Sequence, residues 1–467
     1  MRFLLIFAFL FSAAAGLPAQ DDFDRLTSHA EPKPLSEAAK TEDWPRFLGS
    51  NDDATSGETH LLQSFPEGGP KLLWEVSRGQ GYAGPTIIGD RLIHYHNLDD
   101  VDIIECLHAE TGKRFWETKI ETKYRDRYGF ANGPRASPTF DDGKIYTLSV
   151  TSWLRCHNLE DGKLIWERDL ATDYGVPQYF FGHGPTPLVH ADQVIMNIGG
   201  EKGICVAAFN KDDGATIWET QHEWNASYAS PQVAEFHGEP RILVYAAGES
   251  RPSTGGLLVI DPENGELSDD YFWRSEKYES AVGTCPFPVG DNQVLIAETY
   301  SEGAVLLRVD ENFKLEEVWK APEFKLHWMQ PLLIDDHFYA FTGRNEPDAN
   351  LDCWSLKSGE RVWQENFSWT RDFGAQKFGW SFFRGSLLHA DNTMYALGEM
   401  GTLAIFDATP EGVKIRDQAE LFTSKHAWTL PAVSKGLLYV CQNEPGFLGD
   451  KSGRRLLCYD FRRTEDK

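Results

Sequence analysis

Five side chains hold the same place relative to a recurring proline. Tyr82, Arg135, Tyr228, Trp328 and Trp428 stand three residues before Pro85, Pro138, Pro231, Pro331 and Pro431. Trp380 falls close to this column in a stretch that lacks the proline, and His183 falls close to it ahead of Pro185 and Pro187. Aromatic rings gathered around one guanidinium can stack a flat or sugar-like ligand and pair an anionic group on it. The plainer alternative is that these side chains plug a channel or pack between neighbouring units. Arg135 is the most telling member, because a buried guanidinium requires a partner.

Other chemistry is thinly represented. The chain has no GxSxG, HExxH or phosphate-loop signature, and GGEKG at 199–203 reads as a hairpin. His94 and His96 alternate along one strand and share a face, but no third ligand is in view, so no metal site is expected. The acidic run Asp99, Asp100 and Asp102 reads as a solvated turn. No catalytic residue can be named.

The elements that must position the proline column are written in a second repeat. A polar turn ending in Gly, a few residues and then Trp recur as AETGKRFW (109–116), LEDGKLIW (159–166), KDDGATIW (211–218) and LKSGERVW (356–363). Looser copies are DPENGELSDDYFW (261–273) and DENFKLEEVW (310–319). The tryptophans Trp116, Trp166, Trp218, Trp273, Trp319 and Trp363 are spaced by 50, 52, 55, 46 and 44 residues. Such a period marks copies of one supersecondary unit. Each unit opens on the proline strand and ends on the tryptophan strand, with two strands between, which describes a propeller blade. About eight openings are present. The last unit lacks a tryptophan strand, whereas a spare one, KLLWEV with Trp74, lies at 71–76 before the first opening. The expectation is an all-β, eight-bladed propeller closed by that N-terminal strand, with seven blades as the alternative. The seven repeat tryptophans are expected to be structural wedges between blades.

Charge and composition narrow the partners. A net charge of −26 excludes nucleic acid and anionic membrane surfaces as natural partners. Arg2 followed by the apolar run from Phe3 to Phe11 and by Leu17-Pro18-Ala19 reads as a signal peptide over 1–19, too short in its apolar core for a membrane span. A polar lead-in is expected over 20–69 and a single propeller domain over 70–463. The mature protein is expected to be exported, periplasmic or secreted, soluble, monomeric and without a membrane anchor. Export permits disulfides, but Cys106, Cys156 and Cys353 each lie six residues before their own repeat glycine, as small buried hydrophobes would.

The DxxxGxxxW-type turns and (S/G)xP-like openings resemble the pyrroloquinoline quinone (PQQ) repeat family over about 70–461. The stretch 43–76 looks like the lead-in of exported PQQ-like propellers of planctomycete type. That family includes quinoprotein alcohol dehydrogenases and BamB-like envelope assembly factors, so the resemblance implies the fold and leaves the activity open. A dehydrogenase would imply PQQ in the channel with a Ca²⁺-type ion. The adjacent cysteine pair of the methanol-oxidising branch and a haem tail are both missing, and no ligand set transfers residue by residue. The leading expectation is a non-enzymatic module that binds an envelope protein, peptide or glycan and needs no cofactor. The alternative is a PQQ-dependent alcohol or sugar oxidoreductase.

Overall fold

The first repeat folds as four antiparallel strands, Thr86–Ile88, Arg91–Leu98, Val101–His108 and Arg114–Glu121. The proline before the opening strand keeps it short, and the repeat glycine turns the third strand into the fourth at φ 70°. A computed structural model describes residues 24–290, 292–344, 349–374 and 376–463. Within them the same sheet recurs around a ring, giving eight blades. The signal peptide expected over 1–19 lies outside the described residues.

The ring closes as the sequence implies. Lys71–Ser77 pairs antiparallel with Arg455–Asp460 and becomes the outer strand of the eighth blade. A further strand, Leu26–Ser28, pairs outside it. Between the sixth and seventh blades a hairpin is inserted, Ser368–Asp372 against Lys377–Ser381. The stretch read as the seventh opening therefore belongs partly to this hairpin, and the opening strand proper is Gly385–Ala390.

Adjacent blades are held by the Gly-to-Trp phrase. The indole N–H of Trp116 donates to the Leu159 carbonyl at 2.8 Å, Trp166 to Lys211 at 3.0 Å, and Trp319 to Leu356 at 2.8 Å. Trp74, Trp218 and Trp363 make the equivalent bond to Ala109, Pro262 and Thr409. Trp273, just past the end of its strand, donates instead to Gly303 at the start of the next blade's third strand. Each ring thus docks on the following blade. The third-strand cysteines lie directly across from these tryptophans, as in the pairs Cys106–Trp116, Cys156–Trp166, Cys353–Trp363 and Cys458–Trp74. All seven cysteines are buried and free.

The segment expected as a polar lead-in is, in its described part, woven into the ring. Trp44 exchanges both backbone bonds with Ile87 of the first blade at 2.9 Å, and Pro45 accepts from Phe140 of the second. Thr55–Ser56 then pairs in parallel with the opening strand of the seventh. Trp44, Leu48, Ala54, Leu61 and Leu62 are buried. Buried Glu58 pins the segment to the eighth blade by accepting from the backbone N–H groups of Glu42, Lys435 and Gly436. The segment thus contacts the first, second, seventh and eighth blades.

Candidate functional site

The blade-connecting loops surround a well of about 520 Å³, within the size range of small-molecule sites. Phe47 of the N-terminal segment lines it together with loops of all eight blades. Of the seven candidate residues, Tyr82, Arg135, Tyr228, Trp328 and Trp428 line it together. The turn from one blade into the next delivers each of them to the same height.

His183 and Trp380 do not line the well. In the third blade the residue three before Pro187 is Gly184, which does line it, and a Cβ there would come within 2.8 Å of Tyr228. His183, one residue earlier, turns into the blade and bonds Ser152 Oγ at 3.1 Å and the Asn197 carbonyl at 2.9 Å. Burial lowers its pKa to about 4. Trp380 belongs to the inserted hairpin, where Arg371 lies 4.5 Å over its ring. In the seventh blade Arg384, absent from the sequence-level candidates, takes the place at the well. No proline marks that opening, so the column cannot be followed there by spacing.

Trp428 is the hub of the aromatic wall. Tyr82, Phe130, Trp328 and His426 lie 4.5–6.2 Å from it, centroid to centroid. Two guanidinium groups face the well, each with its carboxylate behind it. Arg135 donates to Asp126 at 2.9 Å, which answers the need for a partner. Arg384 grips Glu399 bidentately at 3.0 and 2.5 Å, and the Trp428 indole donates to the same carboxylate at 2.7 Å. The Asp126 and Glu399 side chains are wholly covered, whereas both arginines retain some exposure. A third, Arg344, lies 4.3 Å over the Tyr300 ring.

Two polar atoms of the wall, Tyr82 Oη and Trp328 Nε1, are buried and have no partner among the described residues. An unmade hydrogen bond at such a group costs about 1–3 kcal/mol. Burial raises the Tyr82 pKa, so its phenol remains protonated at neutral pH. His327 has its pKa pushed down to about 3 by burial and by Arg384 and Arg344. It is neutral at physiological pH and poorly placed to exchange protons there.

The residues immediately before four of the prolines, Gly84, Ser137, Thr186 and Ser230, form a belt. The N–H of Gly84 donates to Ser137 Oγ at 2.9 Å, that of Ser137 to Thr186 Oγ1 at 3.3 Å, and that of Thr186 to Ser230 Oγ at 2.9 Å. Small polar residues at this position therefore stitch the opening strands together. This is the physical content of the (S/G)xP-like motif.

One buried cluster lies apart from the well. His94 and His96, given no third ligand by the sequence, meet Glu105 of the neighbouring strand with donor atoms all within 4.8 Å. Gly79 N–H donates to His96 Nδ1 at 3.1 Å, which places the ring proton on Nε2, facing Glu105 at 3.1 Å. Arg25 binds the same carboxylate at 2.5 Å and lies 3.5 Å from that nitrogen. A cation would need the Nε2 lone pair and would sit beside a guanidinium, so the group fits an ion-paired latch and not a metal centre. Asp102, expected in a solvated turn, is buried on a strand and accepts from Tyr95 at 2.9 Å and Asn97 at 2.8 Å.

A family model described as outer membrane protein assembly factor BamB matches residues 99–365, more than half of the chain. The chain belongs to the BamB-like family of PQQ-type propeller repeats. No curated protein matches it. Among solved structures it is similar to BamB from Moraxella catarrhalis, with TM-score 0.52 and 12% identity over 85% of this chain and 99% of that one. A europium-containing methanol dehydrogenase matches with TM-score 0.51 and 12% identity over 90% and 98%. The quinohemoprotein alcohol dehydrogenase of Comamonas testosteroni matches with TM-score 0.56 and 12% identity over 91% and 81%. These likenesses establish the BamB-like and quinoprotein-like fold. No helix among the described residues is long and apolar enough to cross a membrane.

The well does not fit a metal-bound quinone. An oxygen-liganded ion needs free carboxylates or carbonyls converging on one point. Here Asp126 and Glu399 are committed to arginines, Glu249 accepts from Tyr228 at 2.7 Å, and Glu279 is exposed at the rim.

Proposed function

We propose that the protein is an exported, non-catalytic binding module of the cell envelope, periplasmic or secreted, whose aromatic well holds part of a protein, peptide or glycan partner. The supporting observation is the gathering of Tyr82, Trp328 and Trp428 in one well, with Tyr82 Oη and Trp328 Nε1 buried and unpartnered. Rings supply stacking area and the two donors supply orientation. Among the described residues the wall offers no convergent set of titratable groups for proton transfer or metal binding, which favours binding over turnover.

Capture from envelope extract tests the reading. Wild type and a Tyr82→Ala/Trp328→Ala variant are compared as baits. A partner retained by the first and lost by the second supports the well as the binding surface. An identical captured set refutes it. Addition of PQQ and Ca²⁺ to the purified chain should leave its absorption spectrum unchanged; a tightly held chromophore would favour the oxidoreductase alternative.

A further inference from the structure

We infer that the ligand of the well is an acidic oligosaccharide, lying with one sugar ring in the well and the following units in a cleft beside it; this rests on the binding reading above. The cleft has a volume of about 710 Å³ and shares Phe130 and His426 with the well, so the two form one continuous depression. A compact ligand would need only the well. A linear one can use both.

The charge of the depression opposes that of the molecule. Among the described residues its lining contains six cationic side chains, Arg125, Arg135, Arg344, Arg384, Lys425 and Arg454, against three acidic ones, Asp126, Glu279 and Glu444. Arg125, Arg135, Arg384 and Arg454 are paired with Asp100, Asp126, Glu399 and Glu444, whereas Arg344 and Lys425 have no carboxylate partner among the described residues. The chain as a whole carries −26. Orientation strengthens the contrast, since the Asp126 and Glu399 carboxylates are wholly covered behind the guanidinium groups of Arg135 and Arg384. A concave surface of that sign concentrates anionic ligands against a repelling exterior. Guanidinium groups suit planar carboxylate and tetrahedral sulfate oxygens alike.

Ring architecture decides for a sugar over an acidic peptide. Tyr82, Trp328 and Trp428 present stacking area, a match for a hydroxylated ring with an apolar face. A peptide strand would instead ask for a free backbone edge. At the seventh blade that inner edge is already taken by Thr55–Ser56.

Calorimetric titration of the full chain tests the inference with four probes of similar length. They are a galacturonate oligomer, a sulfated galactose oligomer, the uncharged galactose oligomer and an Asp/Tyr peptide. One or both acidic sugars should bind at least tenfold more tightly than the uncharged one, and the stronger arm identifies carboxylate or sulfate as the recognised group. Raising NaCl from 50 to 500 mM should weaken this binding severalfold. Arg344→Gln should weaken it fivefold or more, as should Lys425→Gln, an exposed substitution that leaves the fold intact by thermal melting. Equal binding of the uncharged sugar, preference for the peptide, or no binding of either acidic sugar overturns the inference. The binding reading survives those results if the capture experiment still distinguishes wild type from Tyr82→Ala/Trp328→Ala, so the two failures are separable.

Discussion

A Cβ on Gly162 would lie 2.4 Å from the ring of Trp116 in the preceding blade. The glycine also has φ 70°, where any side chain is strained. Gly112, Gly214, Gly265 and Gly359 stand in the same way against Trp74, Trp166, Trp218 and Trp319. The two conserved-looking letters of the repeat are thus a contact pair across each blade boundary.

Gly162→Ala should therefore destabilise the ring by several kcal/mol, combining backbone strain with overpacking. Trp218→Ala should cost about 3–5 kcal/mol, as loss of a buried aromatic does. Both should lower the denaturation midpoint in chemical unfolding. Ligand affinity of the remaining folded protein should be unchanged.

Glu58→Ala removes the acceptor for the Lys435 and Gly436 N–H groups of the eighth blade and for the Glu42 N–H of its own segment. The loss should be about 2–4 kcal/mol, because buried donors are left without partners. Limited proteolysis should then cut between residues 43 and 60 at enzyme levels that spare the wild type. Glu58→Gln, which retains one acceptor, should be intermediate.

Stability should fall on acidification below about pH 6.5. Burial lowers the pKa of His157 and His183 to about 4 and that of His327 to about 3. In the unfolded chain these rings take up protons near pH 6.5, while the folded protein stays unprotonated until near pH 4. The unfolded state binds more protons across that interval, so stability rises with pH there and is flat for these groups above it. The contribution is on the order of 3 kcal/mol at most for His157 and His183 and about 5 kcal/mol at most for His327. Urea midpoints measured at pH 7.5, 6 and 5 should decrease in that order.

The thiols should be inert. Burial pushes Cys106, Cys156 and Cys205 up to about 12, and Cys285 and Cys353 up to about 11. A thiol-reactive chromogen should count no cysteine in the native protein and all seven in denaturant. Rapid labelling of Cys106, Cys156, Cys353 or Cys458 under native conditions would contradict their placement opposite the tryptophans.

The fold was legible because its signals are local. The Gly-to-Trp phrase encodes a turn and a wedge within eight residues, and the spare strand at 71–76 declares the closure. The well was legible only where the proline survives. Tyr82, Arg135, Tyr228, Trp328 and Trp428 follow from spacing, whereas Arg384 enters by a strand with no proline and Phe47 by a segment some distance along the chain. His183 was placed one residue out of phase, since two prolines compete to set the register at 185 and 187. Glu105 escaped notice beside His94 and His96 because strand pairing, not sequence distance, brings it there.

The strand that closes the ring and the segment that lines the well are consecutive parts of the same N-terminal stretch, while their partners include Arg455–Asp460 at the far end of the chain. During synthesis that stretch emerges first and can bond Ile87 and Phe140 early, but must wait for nearly the whole chain before its pairings with the seventh and eighth blades can form. Blades can assemble in order meanwhile, each docking its tryptophan on the next. The complete well therefore comes into being only with the final act of folding. Occupancy by ligand would report that a molecule is finished, and an incomplete chain would present no complete site to compete for it.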